Sequence, residues 1–402
     1  MATFIVPPEP PLFTATLEEL DKISFREFTA EQYDQCDKDK IPPGQLLIAV
    51  KNVGICGSDV HYWKHGRIAD FVVEQPMILG HECTGVVVGV GPSSGTTSAG
   101  APSTTLLQVG DRVALEPGIP CEQPDCEICM TKSTVAAPAE YGKEMKFKYN
   151  LCPRVKFFAT PPIDGSLRTV VTHPAKFCFK LPDTVSLAEG ALCEPLSVGV
   201  YACGPDKGQV KEGDSVIIFG AGPVGTLCAL VAMGLGAKKV VVCDVDVNRL
   251  KFLQDTFNDD QDRLSTHFTG NGATARDSST EAMEKFNNGQ LYDCAIDCCG
   301  VATAISCAIY STKPGKRVVL VGMGGNFSNI PLIDASIREV DLVGVFRYRY
   351  TYSTCIQMLA EKKIDVSKLI THKFPFSQEG VENAMEHCRT GKDGCVKAML
   401  EL

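Results

Sequence analysis

The sequence predicts an α/β protein in two parts, an irregular β domain and a doubly wound parallel sheet, and three observations carry that prediction. The first 200 or so of the 402 residues are rich in Val, Gly and Pro and run in short alternating stretches. From residue 213 onward, continuous apolar runs alternate with segments of helical length, the pattern of parallel strands covered on both faces. The length itself, at roughly 100 to 200 residues per domain, favours two or three domains over one.

In the first part, LLIAV (46–50), CTGVVVGV (83–90) and DRVALEP (111–117) read as strands. PSSGTTSAGAPSTT (92–105) is small and polar, and the 131–148 segment lies inside a cysteine cluster, so both read as surface insertions. In the second part, DSVIIFG (214–220), PVGTLCALVAMGLGA (223–237) and KVVVCDVD (239–246) read as strand, helix, strand. The alternation resumes through YDCAIDCCG (292–300), VATAISCAIYST (301–312), RVVLVGMG (317–324) and VDLVGVFRY (340–348). A final apolar run, CVKAML (395–400), is expected to return to the first domain. The boundaries expected are 1–197 with 349–402 for the β domain and 198–348 for the parallel sheet.

Composition narrows the function. Thirty-nine Lys plus Arg against 48 Asp plus Glu leave a formal charge of -9, which disfavours nucleic acid and anionic membranes as partners and favours a small molecule. The 19 cysteines are scattered, some of them inside apolar runs, so reduced thiols in a cytoplasmic protein are expected. No secretory signal opens the sequence and no apolar run is long enough to span a bilayer.

Gly220, Gly222 and Gly225 form a G-x-G-x-x-G that follows a strand and opens a helix, and Asp244 ends the next strand 19 residues after Gly225. That context makes the motif a dinucleotide site. The first glycine permits the tight turn, the second a close approach to the pyrophosphate, and the third helix packing. Asp244 should accept hydrogen bonds from the adenosine ribose and repel a 2′-phosphate, favouring NAD; Arg249 nearby argues the other way.

Cys56, His81 and Glu82 supply thiolate, imidazole and carboxylate. Each alone has an ordinary structural explanation, but the three types together are those of a catalytic zinc, which takes three protein ligands and keeps one position open. Cys121, Cys126, Cys129 and Cys152 suit a closed structural zinc instead, although 22 residues separate the last two.

The segments GICGSDVHYWKHGRIADFVV, PMILGHE, GDRVALEPG, NLCP, FFATPPIDGSL, LCEPLSVGV, GAGPVG and GVFRY resemble the zinc-dependent medium-chain dehydrogenase/reductase family, in its sorbitol (polyol) dehydrogenase branch. The resemblance runs from residue 41 to 402 apart from the insertions. It implies a GroES-like catalytic domain split around a Rossmann domain, a homo-oligomer (tetramer or dimer), and Cys56, His81 and Glu82 on the catalytic zinc. Glu194 matches a family glutamate that touches the metal through water or directly, and the adjacent Cys193 is an alternative ligand. Tyr62, Arg347 and Tyr348 match polyol-contacting residues, and Ser58 and His61 sit where related enzymes pass a proton to solvent. Val224, Asp244 and Arg249 match NAD contacts, as do the segments Val321, Gly322, Met323 and Val345, Phe346, Arg347. After GVFRY the chain departs from the family, reading Arg349, Tyr350, Thr351, Tyr352.

The resemblance implies oxidation of the C2 hydroxyl of sorbitol-like sugar alcohols to the ketose with NAD. Xylitol or L-arabinitol is the nearest alternative substrate, and a non-enzymatic zinc module that binds nucleic acid is a remote one. An alcohol donates hydride well only as its alkoxide. A zinc that lowers the hydroxyl pKa by about nine units supplies roughly 12 kcal/mol, against roughly 3 to 5 for a positioned base, so the metal would carry most of the deprotonation. Glu194 through water, or Ser58 with His61, would take the proton.

Overall fold

The computed structural model describes residues 11–92, 107–130, 148–258, 262–270, 272–325 and 327–402. Both expected insertions lie outside the described residues apart from Pro92 and Lys148.

The chain divides into two units, Met1–Glu194 with Leu369–Leu402, and Pro195–Lys368. In the first, a largely antiparallel sheet runs in the order Cys178–Lys180, Arg112–Leu115, Glu82–Val90, Gln45–Gly54, Lys397–Glu401, Ile370–Pro375, with Val170–Pro174 also paired to Gln45–Gly54. Its central strands are buried almost throughout, because Val, Ile, Leu and Ala occupy both faces. Gly85 lets two of them approach closely, since a Cβ there would collide with the Ala49 carbonyl. The core joins Leu46, Ile48, Val87 and Leu115 to Ala398 and Leu400 of the C-terminal strand, so the last apolar run does return to this unit.

The second unit is a six-stranded parallel sheet in the order Leu264–Phe268, Lys239–Asp244, Ser215–Phe219, Tyr292–Asp297, Thr312–Leu320, Asp341–Gly344. The strand order reverses between Ser215–Phe219 and Tyr292–Asp297, the topological switch point of a Rossmann sheet, where ligands bind outside the carboxyl ends of the strands. Helices Pro223–Gly234, Val247–Phe257, Ala275–Phe286 and Ala302–Ser311 form the connections.

The second boundary lies 20 residues beyond the expected 348/349. Arg349 is buried and pairs with Asp206 at 2.6 Å while also donating to the Tyr201 hydroxyl. The Tyr352–Ala360 helix follows: Met358 and Ile364 lie against Gly234, where no side chain intervenes, and the Ser197 hydroxyl meets Cys355 at 3.4 Å. These contacts hold residues 349–368 to the parallel-sheet unit.

Candidate active site

Among the described residues, two groups of three or more metal-donor side chains have their ligand atoms within 4.8 Å of one another: Cys56 with His81 and Glu82, and Cys121 with Cys126, Cys129 and Cys152. Both belong to the first unit.

Strand pairing assembles the first group. Gly54 lies opposite Glu82 on one side and Met399 on the other. A Cβ at Gly54 would collide with the Glu82 carboxylate, so the glycine makes room for a charged group at the centre of the sheet. Two residues on, Cys56 caps the Gly57–His65 helix, and Asp59 in its first turn accepts from the Cys56 N–H at 3.0 Å and, through its other oxygen, from the Gly80 N–H at 2.8 Å. Asp59 thereby ties together the two segments that carry Cys56 and His81. Gly80 takes a left-handed φ of 85° to turn His81 inward.

Glu82 is fully buried and Lys397 nearly so; the Lys397 ammonium donates to both carboxylate oxygens, at 2.7 and 2.9 Å, and to the Ile55 carbonyl at 3.1 Å. Burial lowers the Lys397 pKa, but the charges of Glu82 and Cys56 outweigh it and hold the ammonium above its ordinary range. Burial likewise lowers His81, and Asp59 and Cys56 reverse the sign, keeping the imidazole well above its usual value. Burial raises Asp59, while His81 and the two backbone donors bring it below the usual carboxylate range. His81 Nδ1 is buried 3.5 Å from Asp59 Oδ1 without hydrogen-bond alignment. A buried orphan nitrogen beside a thiol and a carboxylate, in a field that attracts positive charge, fits a metal cation.

The second group fits a metal for a different reason. The Cys121 and Cys129 sulfurs lie 3.8 Å apart and those of Cys126 and Cys152 lie 3.9 Å apart. A tetrahedron with Zn–S distances of about 2.3 Å has edges of roughly 3.8 Å. The Cys129 backbone N–H is the main influence bringing Cys126 down to about 6, whereas burial raises Cys129 and Cys152.

Of the remaining expected residues of this unit, Ser58, His61 and Tyr62 lie on the Gly57–His65 helix that Cys56 caps. Glu194 is buried but is not one of the closely grouped donors. Tyr62 is buried, Ser58 half-buried, and His61 exposed, its Nδ1 2.8 Å from the Arg67 carbonyl and its ring 4.6 Å from that of His65. Sequence reasoning did not find Asp59 or Lys397. Asp59 had a local signal, an acid three residues after a helix cap; Lys397 had none, standing 315 residues from Glu82 in an apolar run.

In the second unit, Gly220 has φ 109°, Gly222 caps the Pro223–Gly234 helix, and a Cβ at Gly225 would strike the Gly220 carbonyl. Asp244 accepts from the Ala221 N–H at 2.6 Å and the Asp246 N–H at 2.9 Å, which fixes its carboxylate at the glycine loop. Arg249 stands in the first turn of Val247–Phe257, 3.7 Å from Asp246. Val224 is half-buried. The Val321 and Gly322 N–H groups both donate to the Asp297 carbonyl, and Met323 is 75% exposed just beyond. Val345 donates to Leu320, Phe346 is exposed, and Arg347, at φ 53°, sets its guanidinium over the Phe346 ring, beside the buried Tyr348.

A split antiparallel unit carrying a thiol, imidazole and carboxylate group, with a parallel sheet whose glycine loop opens a helix, defines a zinc-binding alcohol dehydrogenase. Residues 42–183 match the alcohol dehydrogenase GroES-like domain and residues 223–361 the zinc-binding dehydrogenase domain, and the chain belongs to that family. Within it, the chain is 43% identical over 362 residues to a sorbitol dehydrogenase of Arabidopsis thaliana, covering 90% of each protein. It is 41% identical to an L-idonate 5-dehydrogenase of Vitis vinifera, covering 90% of this chain and 88% of that one. Among solved structures, an Escherichia coli oxidoreductase/dehydrogenase of unknown specificity superposes with a TM-score of 0.78 at 29% identity, over 97% of this chain and 99% of the other.

Proposed function

We propose that the chain is an NAD-dependent zinc polyol dehydrogenase that oxidises the C2 hydroxyl of sorbitol-like sugar alcohols to the ketose. The observation that carries this reading is the convergence of half-buried Cys56 with buried His81 and Glu82, their ligand atoms within 4.8 Å of one another. When bound there, zinc makes an alcohol hydroxyl acidic near neutral pH, and a bound nicotinamide accepts hydride.

Cys56, His81 and Glu82 would hold the metal; Asp59 keeps two of the three segments in register, and Lys397 balances the charge of Glu82. Glu194, through water, or Ser58 with His61 takes the hydroxyl proton. His61 suits the outer end of such a relay because it is exposed. Arg347, Tyr348 and Tyr62 bind the other hydroxyls of the chain-like substrate, a task for polar side chains because an apolar pocket discriminates weakly for hydroxyls. Gly220, Gly222, Val224, Gly225, Asp244, Arg249, the Val321–Met323 segment and the Val345–Arg347 segment bind the dinucleotide, with Asp244 excluding a 2′-phosphate. The four cysteines of the second group hold a structural zinc.

A homo-oligomer, dimer or tetramer, working in the cytoplasm completes the reading. Met323, Phe327, Leu332, Ile333 and Ile337 are exposed apolar side chains near one another in the sequence of the second unit, and none of the 19 cysteines is in a disulfide. Among the described residues no helix is long and apolar enough to cross a membrane.

The test is turnover with sorbitol, xylitol, L-arabinitol, L-idonate, threonine and ethanol, each with NAD and with NADP, followed at the nicotinamide absorbance. Highest kcat/KM for a polyol with NAD is expected. A higher value for L-idonate, threonine or ethanol overturns the substrate assignment, and equal or better efficiency with NADP overturns the role of Asp244.

A further inference from the structure

We propose that His61 and His65 form a separate metal site on the exposed face of the Gly57–His65 helix, taking a divalent copper, nickel or zinc ion, and that filling it stops turnover by occupying His61. The metal site stands without the dehydrogenase reading, whereas its inhibitory effect rests on the relay role given to His61 above.

The pair follows from the helix. Asp59, Tyr62 and Trp63 are buried and fix which face turns inward, so Ser58, His61 and His65 share the outer face at helical spacing. Both imidazoles are exposed, with their ring centres 4.6 Å apart and their planes tilted by 57°. Two histidines at i and i+4 on one helix face are the arrangement that chelates a metal ion. Two imidazoles sharing one ion at about 2.0–2.1 Å, with roughly 90–110° between them, hold their ring centres roughly 4.5 to 5 Å apart. The pair already has that spacing.

The surroundings prepare His61 as a ligand. Its Nδ1 lies 2.8 Å from the Arg67 carbonyl, which can only accept, so Nδ1 carries the hydrogen and Nε2 keeps its lone pair. A ligating histidine is commonly held in this way, through its second nitrogen, by a backbone carbonyl. The cations next to the pair in sequence have other partners. The Lys64 ammonium reaches Asp21 and lies over the Trp63 ring, and the Arg67 guanidinium donates to the Ala69 carbonyl at 3.1 and 2.7 Å. The helix ends at Gly66 with φ 65°, so His65 occupies the last turn, where the helix dipole favours a cation.

Among the described residues no third His, Cys, Asp or Glu donor joins the pair. Water therefore completes the shell, and the site binds more weakly than one built from three protein donors. Imidazole ligands suit copper, nickel and zinc, whereas magnesium and calcium prefer oxygen. The consequence for turnover lies in one nitrogen. With Nδ1 committed to Arg67, a proton passed outward from Ser58 is taken on His61 Nε2. An ion there occupies the lone pair that the proton needs.

The experiment dialyses the purified enzyme against nickel chloride in the micromolar range and counts both metals. One additional nickel per chain is expected, with the zinc content unchanged. Diethyl pyrocarbonate, which acylates unligated imidazole, should modify His61 and His65 in the nickel-free protein and spare both when nickel is bound, as read by peptide mass spectrometry. Turnover should fall at least about tenfold as the site fills, within what a positioned base contributes, and should recover on dialysis against free histidine. His65→Asn should turn over normally before nickel is added, take up no additional nickel and resist the inhibition. The site is overturned if wild type takes up no additional nickel, if His65→Asn takes up as much as wild type, or if both histidines still react in the presence of nickel. A filled site with full turnover overturns the inhibitory effect where His61→Gln, free of nickel, is slow. If His61→Gln is as fast as wild type, the relay reading is what fails, and the nickel count and the acylation pattern still decide the metal site.

Discussion

The two donor groups of the first unit are built in opposite ways. Cys56, His81 and Glu82 come from a helix cap, a turn and a strand, and Asp59 and Lys397 reach them from behind with a carboxylate and an ammonium. Cys121, Cys126, Cys129 and Cys152 come from a loop and one short helix, and their sulfurs already sit at the edge lengths of a tetrahedron. Mixed donors with charged neighbours allow a metal whose fourth position stays open to substrate; four thiolates close the shell and leave a cross-link between distant parts of the chain. The difference separates a reactive centre from a staple within one unit.

The sharpest way to break that comparison is to remove one ligand from each group. His81→Ala should lower kcat at least about 10³-fold and reduce bound zinc from two per chain to one, with the far-ultraviolet spectrum unchanged. Cys126→Ser should also cost one zinc, yet keep kcat within about threefold while lowering stability by roughly 2 kcal/mol or more in a denaturant titration. Wild-type stability and one zinc per chain before and after Cys126→Ser would remove the structural metal.

Lys397→Met tests what stands behind the mixed group. The substitution leaves the Glu82 carboxylate buried and uncompensated, and breaking such a pair costs about 3–5 kcal/mol. A bound divalent cation replaces part of the lost charge, so the metal-free variant should lose more stability than the zinc-loaded one. Equal losses in the two forms would show that Lys397 serves packing rather than the charge of Glu82.

The contrast also explains which parts of the molecule were legible in the sequence. The glycine loop, Asp244 and five of the six strands announce themselves within short windows, because backbone turns and sheet burial impose local patterns; the sixth, Leu264–Phe268, is a polar and only partly buried edge strand without such a pattern. Cys56, His81 and Glu82 were recognisable by type and by the segments around them. Lys397 was not, since an apolar run containing one lysine reads as an ordinary strand until the fold sets it against Glu82. The late boundary at Lys368 has the same origin: the apolar texture stops at Tyr348, but Arg349 reaches back to Asp206 and Tyr201, a contact across about 145 residues that no local pattern encodes.

A smaller effect distinguishes the thiol group by its support. Beneath it, fully buried Glu116 accepts from the Tyr149 hydroxyl, three residues before Cys152, and its carbonyl accepts from His173 Nε2 at 2.8 Å. Burial lowers His173 to about 4, against an ordinary value of 6.5. Between these values the unfolded chain binds a proton that the folded chain refuses, so the stabilising contribution is complete above pH 6.5 and is lost as the pH falls toward 4. A shift of that size corresponds to roughly 3 kcal/mol over the whole interval. His173→Gln, which keeps a donor for the Glu116 carbonyl and has no proton to gain, should flatten the fall in denaturation midpoint between pH 6.5 and 4 relative to wild type. Parallel curves for the two proteins would mean that His173 takes up its proton in the fold over the same pH range as in the unfolded chain, so that burial does not keep the charge out of this network.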